Sequence, residues 1–131
     1  MLVDSCVLID VIENDARWAE WSTEQLQVCS EAAGVAINLV IYAEIAKSFA
    51  TLHALNSFVD HTELEVRAVP REAAFRAANA HLAYRRNKGS LTTTLPDFFI
   101  GAQAAVEGLR ILTRDKKRFA RYFPEVKLIT P

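Results

Sequence analysis

The stretch MLVDSCVLIDVI at residues 1–12 passes from an apolar pair, Leu2-Val3, through Asp4 into a second apolar run. Leu2-Val3 predicts a very short buried strand, and residues 6–12 predict a helix capped by Asp4 or Ser5. Asp4 is the only charged residue between Met1 and Ile9, and it falls where this strand ends. A strand that leads directly into a helix is the opening unit of an α/β fold.

Strands and helices alternate along the rest of the chain. Further short apolar strands are predicted at residues 35–37, 64–69, 111–113 and 126–130. The predicted helices cover residues 16–32, 39–50, 52–61, 71–88 and 95–107, and three of them end at Gly34, Gly89 and Gly108. This pattern is typical of a parallel sheet with helices on both faces. The sequence therefore predicts one α/β domain over residues 1–131, a three-layer α/β/α sandwich with a short-stranded, mainly parallel central sheet.

The charge balance is near zero but unevenly distributed. The 131 residues include 15 Lys and Arg against 16 Asp and Glu, a net charge of −1, which argues against a general nucleic-acid binder. However, residues 1–31 carry seven acids and one base, whereas residues 67–131 carry thirteen bases and five acids. The second half can therefore still meet a polyanion.

The cysteine count and the apolar runs bear on the compartment. Cys6 and Cys29 form no CxxC motif, which indicates two reduced thiols rather than a disulfide framework. No apolar run approaches the length of a membrane span, and the first residues lack the pattern of a signal peptide. We therefore expect a cytoplasmic protein with no membrane segment.

Four acids stand in apolar company, namely Asp4, Glu44, Asp97 and Asp115. Each comes just after a predicted strand or at the opening of a helix, where open α/β sheets bind ligands. No Lys or Arg stands beside the first three in sequence, and an isolated carboxylate in such a place is costly to ionise unless it is paired. A hard divalent cation would pair with all four. Taken singly, Asp4 and Asp97 also fit helix caps, but the set favours a metal site.

Motifs for several other chemistries are missing from the sequence. There is no GxGxxG or GxxxxGK(S/T) loop for nucleotides and no GxSxG nucleophile elbow. His53, His61 and His81 form no HExxH motif or His-Cys cluster. Phosphodiester chemistry at a Mg²⁺ site remains the best match to the acids.

Four segments, in this order, resemble the motifs of PIN-domain proteins, specifically the VapC-type toxic ribonucleases of bacterial type II toxin–antitoxin pairs. They are LVDSCVLID at residues 2–10, YAEI at 42–45, LPDFFIGA at 95–102 and LTRD at 112–115, the last followed by Phe119 and the ending LITP. Each motif alone is weak, but all four at these spacings are highly specific. The resemblance covers essentially the full length and implies a PIN-like fold.

The resemblance also implies an activity, a Mg²⁺- or Mn²⁺-dependent endoribonuclease. Its acidic quartet would be Asp4, Glu44, Asp97 and Asp115, with Asp4 and Asp97 as the chief metal ligands. Glu44 or Asp115 would position water or hold a second metal. Ser5 and Thr113 would orient the carboxylates. The chain departs from the family at Cys6, where Asn or Ser is common, and in the Thr run at residues 92–94.

Partners are implied in the same way. The resemblance implies an RNA substrate, a homodimer formed through the middle helices, and a VapB-like antitoxin, with a higher hetero-oligomer possible in the complex. Candidate RNA contacts are the basic residues around Asp115 and at the end of one helix: Arg114, Lys116, Lys117, Arg118, Arg85 and Arg86. Either basic cluster also fits an ordinary solvated face or a helix C-terminus.

Two other classes compete with the nuclease. One is a non-catalytic or differently targeted PIN-fold domain that binds RNA or a protein, against which the complete acidic quartet argues. The other is a phosphoacceptor receiver domain, which needs paired acids after its first strand. Leu2-Val3-Asp4 offers only one acid there.

Overall fold

The computed structural model describes residues 1–87 and 93–131. Within them, five strands form one sheet: β1 (Leu2–Val3), β2 (Ala36–Asn38), β3 (Glu65–Arg67), β4 (Ile111–Leu112) and β5 (Leu128–Ile129). The same residues form seven helices: α1 (Ser5–Ile12), α2 (Ala19–Ala33), α3 (Leu39–Ala46), α4 (Leu52–His61), α5 (Arg71–Arg86), α6 (Leu95–Glu107) and α7 (Lys116–Ala120). The strand order is β3-β2-β1-β4-β5 and every pairing is parallel, which confirms the predicted α/β/α sandwich.

The predicted elements are present, with shifted ends. The helix predicted from residue 16 begins at Ala19, because the Asp15 carboxylate accepts hydrogen bonds from the backbone of Arg17 and Trp18 and holds a turn there. The helix predicted over residues 39–50 ends at Ala46, and the predicted helix end at Gly89 lies outside the described residues. The short helix α7 was not predicted, since its five residues are too few to show a helical period.

The order of the strands explains where the site lies. From β1 the chain moves outward through β2 to β3, then crosses back to pair β4 against the other side of β1. Right-handed crossovers place the connections on opposite faces, so β1 and β4 flank the switch point of the sheet. Their register pairs Val3 with Leu112, which brings Asp4 alongside Thr113 at the carboxyl edge.

Buried contacts fix α6, the helix that carries Asp97, against this edge. Gly101 lies against the Phe123 ring so closely that a Cβ atom would collide with it. Gln103 is fully buried and joins Asn38, at the end of β2, to the backbone of Ala68 through hydrogen bonds of 3.0 Å each. The Gln103–Asn38 hydrogen bond thus ties α6 to the end of β2, and the Gly101–Phe123 contact ties it to the segment after α7. None of the helices in the described ranges is long and apolar enough to cross a membrane.

Candidate active site

Asp4 follows β1 at the carboxyl edge of the sheet and is completely buried. Its Oδ2 atom accepts hydrogen bonds from Thr113 Oγ1 at 2.7 Å and from Cys6 Sγ at 3.4 Å. The Arg118 guanidinium lies 3.3 and 3.5 Å from its two carboxylate oxygens. A carboxylate at this depth is tolerable only with such donors and a countercharge, so the surrounding residues are arranged to hold one negative group here.

Thr113 and Ser5 are the two residues predicted to orient carboxylates, and they differ in their contacts. The Thr113 hydroxyl donates to Asp4 and accepts from the backbone N–H of Asp115 at 3.0 Å, so it links two members of the acidic quartet. Ser5 is buried at the start of α1, and its hydroxyl makes no hydrogen bond to any residue that the structure describes. The expected contact is thus present for Thr113 and absent for Ser5.

Asp97 lies in the first turn of α6, where its two carboxylate oxygens have different partners. Oδ2 accepts hydrogen bonds from the backbone N–H and the hydroxyl of Thr94, at 2.9 and 3.1 Å. Oδ1 forms an ion pair with Arg118 Nη2. Asp97 therefore completes a helix cap with one oxygen, as the sequence allowed, and its other oxygen pairs with Arg118.

Arg118 lies between the two aspartates. Its Nη1 atom contacts Asp4 and its Nη2 atom contacts Asp97, so a single cation joins two carboxylates that are 93 residues apart in the sequence. The sequence showed no basic residue beside these acids, and in the folded chain Arg118 fills that role. Because Asp4 and Arg118 are 114 positions apart, no local pattern could reveal the contact.

Asp115 and Glu44 flank this pair rather than joining it. The exposed Asp115 caps α7, accepting from the backbone N–H of Arg118 at 3.2 Å, and shares one depression with Asp97 and Lys117. Glu44 lines a neighbouring groove with Thr94, and its buried Oε2 atom has no hydrogen-bond partner among the described residues. The four acids thus occupy adjoining parts of one edge, with Asp4 and Asp97 closest to a common cation.

The residues present fit a hard divalent ion. The described parts of the chain contain no group of three or more His, Cys, Asp or Glu arranged to hold a metal. Mg²⁺, however, is commonly bound by one or two carboxylates with water and substrate phosphate completing the shell. Asp4 and Asp97 already converge on one cation, and the unpartnered Glu44 Oε2 is an acceptor that lacks a donor. Asp4 and Asp97 are therefore the residues that would hold the ion.

The Cys6 thiol is an uncharged hydrogen-bond donor to Asp4. Burial, and after it the charge of the Asp4 carboxylate, raises the pKa of the Cys6 thiol to about 11. At neutral pH the thiol keeps its proton and directs it at Asp4 Oδ2. The departure from the family's usual Asn or Ser thus replaces one hydrogen-bond donor with a weaker one.

A second buried aspartate, Asp10 on α1, was not among the predicted site residues. It accepts two hydrogen bonds from Arg114, at Nε (2.6 Å) and Nη2 (2.9 Å), and one from Ser22 Oγ at 2.7 Å. Burial acts to lower the pKa of Arg114, but the hydrogen bonds and charge of Asp10 outweigh it and raise that pKa. The Arg114 guanidinium also lies 5.2 Å from the centroid of the Trp18 ring. A lone aspartate inside an apolar helix was the signal that could have revealed this pair.

The other basic candidates are at the surface. Lys116 and Lys117 are exposed on α7, and Lys117 borders the depression that Asp97 and Asp115 line. Arg85 and Arg86 are exposed at the end of α5, and Arg85 lines a second depression beside Thr93. Arg114 and Arg118, by contrast, have guanidinium groups already paired with aspartates.

A comparison with family models matches residues 1–123 to the PIN domain. The chain therefore belongs to the PIN domain family, and the receiver-domain alternative is wrong. Among curated protein sequences, none matches this chain.

Solved structures show the same fold at low identity. VapBC2 from Rickettsia felis, bound to a DNA fragment from its promoter, has a TM-score of 0.74 at 15% identity, covering 98% of this chain and 96% of that chain. A toxin–antitoxin complex from Klebsiella pneumoniae has a TM-score of 0.72 at 23% identity, covering 99% and 96%. FitAcB from Neisseria gonorrhoeae has a TM-score of 0.68 at 17% identity, covering 99% and 96%. These similarities establish the shared fold along nearly the full length.

Proposed function

We propose that this PIN domain is the VapC-type toxin of a type II toxin–antitoxin pair and a Mg²⁺- or Mn²⁺-dependent endoribonuclease. The observation that carries the proposal is the convergence of Asp4 and Asp97, from opposite parts of the chain, on one cation at the switch point of the sheet. The solved structures of similar fold are toxin–antitoxin complexes, which supports the toxin class.

The proposal assigns each residue of the site a role. Asp4 and Asp97 would hold the ion, which would supply a water of lowered pKa and neutralise charge on the scissile phosphate. Thr113 and Cys6 keep the Asp4 carboxylate in one orientation by donating hydrogen bonds to it. Asp115, exposed beside Asp97, or Glu44 would position the attacking water or hold a second metal.

The remaining candidates bind the substrate or complete the metal shell. Glu44, whose buried Oε2 atom has no hydrogen-bond partner among the described residues, would position water or help to hold an ion. Lys116 and Lys117, exposed on α7, bind RNA phosphates, and Arg85 and Arg86, exposed at the end of α5, offer a second set of contacts. Ser5 stays a candidate orienting residue.

The proposed assembly is a cytoplasmic homodimer that binds a VapB-like antitoxin. Leu39 on α3 and Leu52 on α4 are 66% and 68% exposed, so these middle helices offer apolar surface for such a contact. Phe49 and Phe58 pack against each other at 5.5 Å and Leu55 is buried, so these three belong to the core. Mass measurement in solution, with and without the antitoxin, tests both contacts.

The activity is tested on purified protein with a structured RNA, comparing Mg²⁺ with EDTA. We expect cleavage only with Mg²⁺ and a loss of about 100-fold or more in Asp97→Asn, because a metal ligand is removed while the amide oxygen still caps α6. Asp4→Asn is expected to lose activity in the same way.

Asp60→Asn is the matched control, since Asp60 is an exposed aspartate on α4 away from the edge of the sheet. Full activity in Asp97→Asn, or equal cleavage in EDTA, would refute the metal-dependent nuclease. Binding of RNA without cleavage in either buffer would favour the non-catalytic alternative.

A further inference from the structure

We propose that Arg118 is a counter-cation built into the site and that it exchanges with the divalent ion, which makes metal binding competitive with an internal ion pair. The inference rests on the proposed function, because it concerns the same Asp4 and Asp97 carboxylates. It concerns how the site is loaded, not whether RNA is cut.

Arg118 uses the carboxylate oxygens that a metal ion would also need. Asp4 Oδ2 accepts from Thr113 and Cys6 as well as from Arg118, and Asp97 Oδ2 is used by Thr94. The oxygens that remain, Asp4 Oδ1 and Asp97 Oδ1, are the ones that the guanidinium occupies. A metal bound between the two aspartates therefore competes with Arg118 for the same two oxygens.

The contact of Arg118 with Asp4 is the longer of its two ion pairs. Its contacts at 3.3 and 3.5 Å exceed the 2.7–2.9 Å typical of charge-assisted hydrogen bonds. Removing Arg118 without a replacement would leave two like charges facing each other at a buried edge, so the side chain leaves only when another cation arrives.

The position of Arg118 gives the released side chain a role. Arg118 borders the same depression as Lys117, Asp97 and Asp115, and 20% of its side-chain surface is exposed. After exchange the guanidinium and Lys117 face one open surface, where they can bind a phosphate together. Arg118 thereby couples metal binding to phosphate binding.

The test measures Mn²⁺ binding to the full chain without RNA, from the signal of free Mn²⁺ in electron paramagnetic resonance. We expect Arg118→Ala to bind Mn²⁺ about tenfold tighter than the unchanged protein, since the charged hydrogen bonds that the metal must break are gone. Arg118→Lys should lie in between. Lys117→Ala, which removes a charge from the same depression without touching either aspartate, should change the affinity less than about threefold.

A thermal unfolding series gives a second readout. Without metal, Arg118→Ala should unfold at a lower temperature than the unchanged protein, and saturating Mn²⁺ should raise its midpoint by more degrees. Should Arg118→Ala fail to fold, Arg118→Gln carries the same expectations.

Three results would overturn the exchange. They are weaker Mn²⁺ binding in Arg118→Ala, equal tightening in Lys117→Ala, and no Mn²⁺ binding by any of the proteins. A protein that binds Mn²⁺ as expected but leaves RNA intact would sustain the exchange while refuting the nuclease.

Discussion

Two arginines four residues apart pair with two aspartates from the opening stretch of the chain, and they do so differently. Arg114 grips Asp10 with Nε and Nη2 at 2.6 and 2.9 Å, and Ser22 adds a third hydrogen bond to the same carboxylate. Arg118 spreads over Asp4 and Asp97, with its contacts to Asp4 at 3.3 and 3.5 Å. The Asp10 carboxylate has one arginine to itself and a third donor, whereas Arg118 is shared between two carboxylates and only its contacts to Asp4 are long.

The difference distinguishes an ion pair that supports the site, Asp10–Arg114, from the contacts of Arg118 inside the site. We call the Asp10–Arg114 pair and the segments it joins the frame of the site. The pair of Asp10 and Arg114 ties the segment after β4 to α1, which fixes the start of α7. Arg118 projects from that fixed helix onto Asp4 and Asp97. A tightly satisfied ion pair resists exchange, while a cation shared between two acids can be replaced by a better one.

Asp10→Asn should produce the largest loss of stability. The change leaves Arg114 charged without its partner and puts an amide against it, so we expect the free energy of unfolding to fall by about 2–3 kcal/mol, below the usual cost because Arg114 is partly exposed. Urea denaturation measures it. Asp97→Asn is the contrast, since its cap oxygen is retained and the expected change is under about 1 kcal/mol.

An unchanged free energy of unfolding in Asp10→Asn would show that the Asp10–Arg114 pair contributes no more to stability than the contacts of Arg118. A large loss in Asp97→Asn would point the same way, because it would make the shared pair part of the frame.

The salt dependence of RNA binding tests whether Arg114, already paired with Asp10, also contacts RNA. Measured in EDTA to prevent cleavage, neutralising Lys116 and Lys117 to Gln should reduce the log–log salt slope by about 1.4, or 0.7 for each lost phosphate contact. Arg114→Gln should leave the slope unchanged, because its guanidinium is already bound to Asp10. Filter binding between about 50 and 200 mM salt covers the useful range.

A smaller salt slope in Arg114→Gln would mean that Arg114 contacts RNA and is part of the RNA-binding surface. An unchanged slope in the double lysine variant would remove α7 from that surface.

The sequence allowed the frame of the fold to be predicted because its signals are local. Short apolar strands and glycine at helix ends indicated the alternating elements, and the acid after Leu2-Val3 fell at the edge of the sheet as expected. Helix α7 was not predicted, because five residues are too few to show the hydrophobic periodicity of a helix.

The pairings of the site depend on distant contacts. Arg118 meets Asp4 across 114 positions and Arg114 meets Asp10 across 104, and nothing in either local sequence specifies the partner. Sequence could place Asp4 and Asp97 at the edge, but the folded chain was needed to show which cation they share.

Trp18→Phe tests whether the two arginine sites act independently, and it carries the smallest expected effect. The Trp18 ring lies under Arg114 at 5.2 Å and meets Trp21 edge to face at 6.2 Å. A smaller ring with a weaker π face should cost about 0.5–1 kcal/mol in urea unfolding, which the fluorescence of Trp21 still reports. Because Arg118 does not touch this ring, Mn²⁺ affinity should stay within about twofold. If the Mn²⁺ affinity changes by more than twofold, the Asp10–Arg114 pair transmits strain along the segment to α7. The two arginine sites are then energetically coupled.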